Sequence, residues 1–467
     1  MFFSSFLKKR YLYQYLISLS GCVSILTSGI NLGWTSPYLP QILNGTYINI
    51  SMTSDQGSWC AVMPLIGAVP GAFLTIFIVD RIGRKLSTLL MAPIVLLCFI
   101  LLAFSDTVFS IFSVRFIIGA VEGGLYTVLP IYLGEISDPQ IRGILTALMG
   151  AFSILGALLI NVLGFHYSIF TSSLLCAIVP IVHFLTFVLV PESPYYLIKK
   201  GKIKEAKNSL KILRATVNID DELNELKLAV ARQETEKEAK VTDLITVKSN
   251  RRAVLIYIII NFTRKFSGKN PIQFYTTSIF YLAEGSLSTY LSVIVFICIE
   301  LVAAMIGVLL IDKTGRRPLL IVSTSICATA LCLTGFHFVL KDTYMSYLSM
   351  FSWLPLTSLT VYNVCYTMGL ELAQTVYLGE LFPVNIKAKA LGIADMLSVI
   401  NGTIASKIFQ IVADNFGLHY SFFVFSGCCV IGLLLIIKFV PETKNKTLEE
   451  IQLYLIQKTT KKSNNSS

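Results

Sequence analysis

Twelve long apolar windows run through the sequence and restrict the chain to very few folds. Each holds at least about the 20 residues that a helix needs to cross a bilayer. Because the tenth window is too long for one straight helix, we expect it to include a loop. The windows cover approximately residues 12–34, 56–79, 86–105, 108–134, 143–164, 170–190, 253–282, 288–311, 318–340, 345–379, 388–413 and 417–440.

The composition agrees with a membrane protein. Of the 467 residues, 54% are hydrophobic and only 14% are charged, whereas about 25% are charged in soluble domains. This balance excludes a soluble enzyme, a disordered chain and a nucleic-acid binder. The ten cysteines lie in or near apolar windows and the four histidines lack ligand spacing, so we expect no disulfide, metal or cofactor.

Lysine and arginine orient the predicted helices. With both termini in the cytoplasm, 32 of the 38 basic residues fall in inner segments, as the positive-inside rule requires. The net charge of +11 therefore reflects topology rather than an anionic partner. The sequons at Asn44 and Asn49 then fall in the first outer loop and are candidate glycosylation sites.

One polar segment divides the chain into two parts. It covers residues 191–252, and Ile203, Ala206, Leu210 and Leu213 follow helical spacing within it, which indicates amphipathic helices on the cytoplasmic face. We therefore expect a six-helix half over 1–190, this linker, a second six-helix half over 253–440 and a cytoplasmic tail over 441–467.

Three charged motifs recur in the same order in both halves, at their cytoplasmic ends. DRIGRK is repeated as DKTGRR, a Gly-Glu pair is followed seven residues after the Glu by a basic residue, and Pro-Glu-Ser is repeated as Pro-Glu-Thr. Parallel repeats of this kind place a substrate site between the halves near the bilayer midplane. We interpret the charges as gating salt bridges; the alternative is that they do no more than anchor the loops. The residues concerned are Asp80, Arg84, Glu135, Arg142, Asp312, Arg316, Glu380 and Lys387.

These motifs resemble the sugar porter family of the major facilitator superfamily. Further matching segments are PIYLGEISDPQIRG, PESPYYLIKKG, GELFP and PETKNKTLEEI, and GWTSPYLPQI in the first window is most like the facilitated trehalose and glucose transporter branch. The resemblance implies a twelve-helix major facilitator fold of two six-helix halves. It also implies a monomeric carrier in the cell membrane that moves a sugar down its gradient by alternating access.

The sugar-contacting positions of that family carry over unevenly. The family's helix 7 reads Gln-Gln-Leu-Ser-Gly-Ile-Asn, whereas residues 264–270 read RKFSGKN here, and the tryptophan and prolines of the family's helix 10 are absent. The resulting candidate substrate-binding residues are Asn161, Arg264, Lys265, Asn270, Glu300, Glu371 and Thr375.

Charges at mid-membrane depth are expensive and usually pair or face a polar space. We hypothesise that Arg264 and Lys265 pair with Glu300 and Glu371, either to bind a polyol or as a purely structural network. Glu122 lies beside two glycines in the fourth window and is a possible proton site. A proton-coupled or charged-solute carrier and a non-transporting sugar sensor therefore remain alternatives to a facilitative sugar transporter.

Overall fold

The computed structural model describes residues 9–45, 50–138, 140–216, 219–235, 241–343, 348–444, 446, 450–451 and 453–454. Within these ranges all regular structure is helical, which confirms the all-α prediction. The chain forms two compact units, residues 1–236 (the first unit) and 237–467 (the second unit).

The first unit contains eleven helices in its described part. They are α1 (Lys9–Gly33), α2 (Thr35–Leu43), α3 (Ser54–Ile82), α4 (Arg84–Ala103), α5 (Val108–Ile136), α6 (Arg142–His166), α7 (Ile169–Cys176), α8 (Ile178–Phe187), α9 (Pro194–Lys199), α10 (Ile203–Arg214) and α11 (Asp220–Thr235).

The described part of the second unit continues the numbering. Its helices are α12 (Asp243–Thr246), α13 (Lys248–Lys265), α14 (Lys269–Phe274), α15 (Thr276–Ala283), α16 (Thr289–Thr314), α17 (Arg316–Thr343), α18 (Leu348–Phe351), α19 (Leu354–Cys365), α20 (Leu372–Leu381), α21 (Val384–Phe416) and α22 (Leu418–Phe439). A π-helical segment, Tyr366–Glu371, joins α19 to α20.

Ten helical stretches of the described chain are long and apolar enough to cross a membrane. The other two predicted spans are interrupted. The seventh breaks between α13 and α14, and the tenth contains the π-helical segment and a turn after Phe351. These ten stretches, two of which contain a one-residue break at Trp34 or Ala177, and the two interrupted spans therefore account for the twelve predicted windows.

Glycines bring α3 and α5 into close contact in the first unit. A Cβ atom on Gly71 would lie 1.8 Å from the carbonyl oxygen of Ala120, and one on Gly123 would lie 2.0 Å from that of Ala68. Small residues at such crossings let membrane helices pack backbone to backbone. The contact fixes the rotation of α5 and hence the position of Glu122.

The amphipathic helices after the sixth span pack within the first unit. The amide of Gln14 donates to the carbonyl oxygen of Leu213 at 3.3 Å, and the Arg214 guanidinium donates to that of Ile136 at 2.8 Å. Leu210 and Leu213 are buried. Helix α10 is thereby tied to the N-terminal part of α1 and to the C-terminal end of α5.

Candidate substrate site and charge clusters at helix ends

The break in the seventh span sets the geometry of the candidate site. Helix α13 ends at Lys265, the Ser267 hydroxyl donates to the Arg264 carbonyl at 2.7 Å, and Gly268 has a φ of +88°. Residues with a side chain adopt this left-handed conformation at a cost, whereas glycine does so freely. The chain therefore turns here, and Lys269 begins a separate helix.

Arg264 is the centre of a polar cluster that the tenth span supplies. Its guanidinium donates to the Tyr366 hydroxyl at 3.2 Å and to the Gln374 side-chain oxygen at 3.2 Å. Its third contact is an ion pair with Glu371 at 3.1 Å. The hypothesised pairing of Arg264 with Glu371 is thus present in the structure.

The π-helical segment explains how Tyr366 and Glu371 reach the same guanidinium. At 100° per residue, residues five apart in an α-helix point about 140° apart. A π-helix has hydrogen bonds from i to i+5 and turns less per residue, so it brings these two residues closer to one face. The widened turn therefore directs both side chains toward Arg264.

Glu300 has a different partner from the one hypothesised. Its two carboxylate oxygens accept hydrogen bonds from Lys269 at 2.6 Å and from the Asn363 amide at 2.9 Å, and Lys269 also donates to Asn363 at 2.6 Å. The ammonium lies 5.9 Å from the ring centroid of Phe296 and 5.7 Å from that of Tyr366. Lys269, rather than Arg264 or Lys265, takes Glu300 because the turn at residue 268 redirects it.

Three of the candidate substrate-binding residues have polar groups with unused hydrogen-bonding capacity (open groups). Neither the Lys265 ammonium nor the Asn270 amide makes a hydrogen bond or ion pair with any described residue. Thr375 is exposed, and its hydroxyl donates to the Glu371 carbonyl at 3.2 Å. Glu371 itself is 39% exposed. These donors and acceptors are therefore available to a polar ligand.

A network of amides and hydroxyls connects Gln374, which contacts Arg264, to residues of α13 and α21. The Gln374 amide donates to the Tyr257 hydroxyl at 2.8 Å, the Asn261 amide donates to Ser398 at 2.6 Å, and Asn401 donates to Asn261 at 2.8 Å. Sequence reasoning missed these residues. Polar side chains recurring inside apolar windows were the available signal.

The first unit contains a separate buried polar cluster. Arg115 is fully buried and donates to the carbonyl oxygens of Cys60 at 2.9 Å and Asn31 at 3.1 Å, and to the Thr35 hydroxyl at 2.9 Å. The Asn31 amide donates to Glu122 at 2.8 Å. Glu122 makes no ion pair with a described residue, so Asn31 links a buried cation to a buried carboxyl group.

Asn161 on α6 is a buried polar residue of the first unit. It is 2% exposed, and its amide nitrogen donates to the Ala157 carbonyl of its own helix at 2.8 Å. Its side-chain oxygen has no partner among the described atoms. The oxygen is thus an unused acceptor in the first unit.

Charged residues at the start of α4 tie helices of the first unit together. Arg84 forms ion pairs with Asp80 at 3.1 Å and Glu135 at 2.9 Å. The Glu192 carboxylate accepts from the backbone N–H groups of Arg84 and Lys85 at 3.1 Å, where a negative charge also suits the helix N-terminus. Arg142 is exposed.

The second unit repeats the arrangement at the start of α17. Arg316 pairs with Glu380 at 3.2 Å, and Glu442 accepts from the backbone N–H groups of Arg316 at 3.1 Å and Arg317 at 2.9 Å. Lys387 donates to the Gly379 carbonyl at 2.7 Å. The side chain of Asp312 lies outside the described residues.

Hydrogen bonds control the protonation of Glu442, which lies beyond the last span. Partial burial raises the pKa of this carboxyl group, but the backbone N–H groups of four residues more than offset it and leave the pKa below its ordinary value. The donors are Lys444, Arg317, Arg316 and Thr443.

Of the two sequons, Asn44 is exposed at the end of α2. Asn49 lies outside the described residues.

Apolar spans, an internal repeat and polar groups at helix breaks define a multi-pass membrane transporter. Residues 6–455 match the family described as "Sugar (and other) transporter", and the chain belongs to that family. It is 28% identical over 457 residues to the facilitated trehalose transporter Tret1 of Bombyx mori, covering 97% of this chain and 89% of the relative. It is 30% identical over 444 residues to Tret1 of Culex quinquefasciatus, covering 94% and 85% respectively.

The fold has a close counterpart among solved structures. The inward-open xylose transporter XylE from E. coli aligns with a TM-score of 0.79 at 21% identity, covering 94% of this chain and 99% of that chain. At this identity the likeness establishes the fold, and it agrees with the predicted major facilitator architecture.

Proposed function

We propose that this membrane protein is a facilitative carrier of a neutral sugar of the glucose or trehalose class and works by alternating access. The observation that carries the proposal is the set of open donors and acceptors around the break between α13 and α14: Lys265, Asn270, Glu371 and Thr375. Membership in the sugar transporter family and the resemblance to facilitated trehalose transporters support the same substrate class.

We further propose which groups meet the sugar. Hydroxyls both donate and accept hydrogen bonds, whereas an ammonium or guanidinium only donates and a carboxylate only accepts. The open groups named above, with Arg264, can together serve a polyol. The unused side-chain oxygen of Asn161 in the first unit is proposed separately as an acceptor for a sugar hydroxyl. Glu300 acts in a supporting role, since both of its oxygens are already occupied.

The cytoplasmic charge clusters are proposed gates. Within the first unit the Arg84–Glu135 pair holds the inner ends of α4 and α5 together, and the Arg316–Glu380 pair does the same for α17 and α20 in the second unit. Asp80, Arg142, Asp312 and Lys387 complete the proposed set. Breaking these contacts releases the inner ends of the helices.

We also infer the cellular context of the carrier. The distribution of basic residues supports cytoplasmic termini, and the family supports a location in the cell membrane and an activity that leaves the substrate chemically unchanged. Asn44 and Asn49 are proposed glycosylation sites, and the carrier is proposed to act as a monomer.

Uptake of labelled glucose and trehalose by Xenopus oocytes expressing the protein tests the proposal. We expect saturable uptake of at least one of them, in proportion to the amount of protein at the surface, and at equal rates at about pH 5.5 and 7.5. Surface protein without uptake of any sugar contradicts transport and favours the sensor alternative.

Glu122 favours a second candidate, proton-coupled transport. Among the described residues, the hydrogen-bond partner of this buried carboxyl group is the Asn31 amide. Such a group can carry a proton, because intramembrane ionisable groups often form proton relays. This alternative predicts acid-stimulated uptake that Glu122→Gln abolishes.

A further inference from the structure

Asp395 is a charged residue inside a membrane-crossing helix that no motif explains. It lies six residues after Lys389, where the apolar stretch of α21 begins, which is about 9 Å along the helix. The residue is exposed, and its carboxylate makes no hydrogen bond or ion pair with any residue that the structure describes. A charge that faces lipid within a span is costly, so Asp395 is expected to face a polar environment.

Helix α13 of the seventh span contacts α21 just before and just after Asp395 in the chain. The Tyr257 hydroxyl donates to the carbonyl of Ala394 at 3.2 Å, and the Asn261 amide donates to Ser398 at 2.6 Å. Lys265 follows Asn261 by one turn of α13. Helical side chains lean toward the N-terminus of their own helix, so the Lys265 side chain leans back toward the level of Asp395. Arg264 and Lys265 are the two cations that act electrostatically on this carboxylate.

The charges of this layer balance, but they do not all pair. Arg264 and Glu371 form an ion pair, whereas Lys265 and Asp395 remain apart in the described structure. A ligand with a net charge would unbalance the layer. A neutral polyol would not, because one hydroxyl can accept from the ammonium while its neighbour donates to the carboxylate.

We propose that Asp395 is a sugar-binding residue and that it acts with Lys265 on neighbouring hydroxyls of the substrate. Asp395 accepts a hydrogen bond from one hydroxyl, and Lys265 donates to the next. This inference rests on the proposed function and adds to it the residue on α21 that selects a neutral polyol.

The test is Asp395→Asn in reconstituted vesicles, with Asp414→Asn as the matched control. Asp414 lies on the same helix 19 residues further on, about 28 Å along its axis. Hydrogen bonds to charged groups contribute about 1.5–3 kcal/mol. We therefore expect Asp395→Asn to raise the KM for glucose or trehalose counterflow roughly ten- to hundredfold, and Asp414→Asn to change it less than about twofold. An unchanged KM in Asp395→Asn overturns the inference.

Deoxyglucoses identify the contact itself. The wild-type protein should bind the analogue that lacks the hydroxyl hydrogen-bonded to Asp395 more weakly than it binds glucose. Asp395→Asn should bind that analogue and glucose with nearly equal affinity. Asp395→Ser provides a second variant of smaller size. If either correctly folded variant discriminates against the same analogue as strongly as the wild type, the proposed contact is wrong.

Exchanging the two charges separates a substrate contact from an internal ion pair. We expect the double variant Lys265→Asp, Asp395→Lys to keep a raised KM for the sugar. In this variant each substrate hydroxyl meets a donor where the wild type offers an acceptor, or the reverse. Recovery of the wild-type KM overturns the inference. Wild-type vesicles without sugar counterflow contradict the proposed function as well, whereas wild-type counterflow with a normal Asp395→Asn contradicts only the role of Asp395.

Discussion

Removing the charge of Glu300 should destabilise the second unit more than removing any exposed carboxylate. The side chains of Lys269 and Glu300 are 8% and 9% exposed, and their charged atoms are 2.6 Å apart. Asn363 contacts both groups. In Glu300→Gln the ammonium therefore stays buried with neutral acceptors only.

The expected magnitude follows from the distance and the burial. At an effective dielectric constant of about 20, opposite unit charges 2.6 Å apart attract by about 6 kcal/mol. Desolvation costs several kcal/mol for each ion, so the intact pair contributes little net stability, but removing one partner typically costs about 3–5 kcal/mol. We expect Glu300→Gln to lower the free energy of unfolding by that amount.

Thermal unfolding in detergent, followed by tryptophan fluorescence, measures the effect. The matched control is Glu284→Gln, since Glu284 also pairs with a lysine, Lys341, at 2.8 Å but is 58% exposed. An exposed pair contributes only about 0–1 kcal/mol. At about 2–4 °C per kcal/mol for a unit of this size, Glu300→Gln should melt at least about 6 °C lower than the wild type.

A double variant checks the reasoning. Glu300→Gln combined with Lys269→Met removes both charges and should be more stable than Glu300→Gln alone, with a coupling energy of about 2–3 kcal/mol. If Glu300→Gln melts like Glu284→Gln, or if the two substitutions simply add, the buried pair does not have the energetic role argued here.

Three further predictions follow from other parts of the chain. Gly123→Val should destabilise the first unit by about 3 kcal/mol or more, because a Cβ would lie 2.0 Å from the Ala68 oxygen; unchanged thermal unfolding would contradict the close contact. The pKa of Glu442 lies below its ordinary value of 4.5. The ionised Glu442 therefore stabilises the fold fully above pH 4.5, and this stabilisation is lost as the pH falls through the lowered pKa. Melting curves of Glu442→Gln between about pH 3 and 7 should lack this loss of stability in acid. Asn44→Gln should remove one endoglycosidase-sensitive mobility shift from protein made in insect cells, and an unaltered shift would show that Asn44 is not modified.

Bilayer thickness made most of the fold predictable. It fixes the length of a spanning helix, so ten of the windows in the sequence correspond to helical stretches that are long and apolar enough to cross a membrane. The π-helical segment had no such signature. Residues 366–371 are spaced like any apolar helix, and their widened turn places Tyr366 and Glu371 on Arg264, which is a tertiary contact.

The candidate site was predictable in its residue types but not in its pairing. Mid-window charges stand out because they are costly in a membrane. Arg264, Lys265 and Lys269 lie within one short stretch, however, and the turn at Gly268 decides which of them meets Glu300. Windows that are apolar on every side do not fix helix rotation, so the sequence left the choice of partner open.

Sugar uptake into proteoliposomes tests the central claim, facilitative transport, most directly. Purified protein is reconstituted, and labelled glucose or trehalose is added outside, with and without a pH gradient that is acid outside. We predict saturable uptake that stops when the internal concentration equals the external one under both conditions. No uptake beyond that of protein-free vesicles, or accumulation above the external concentration driven by the gradient, would contradict the account.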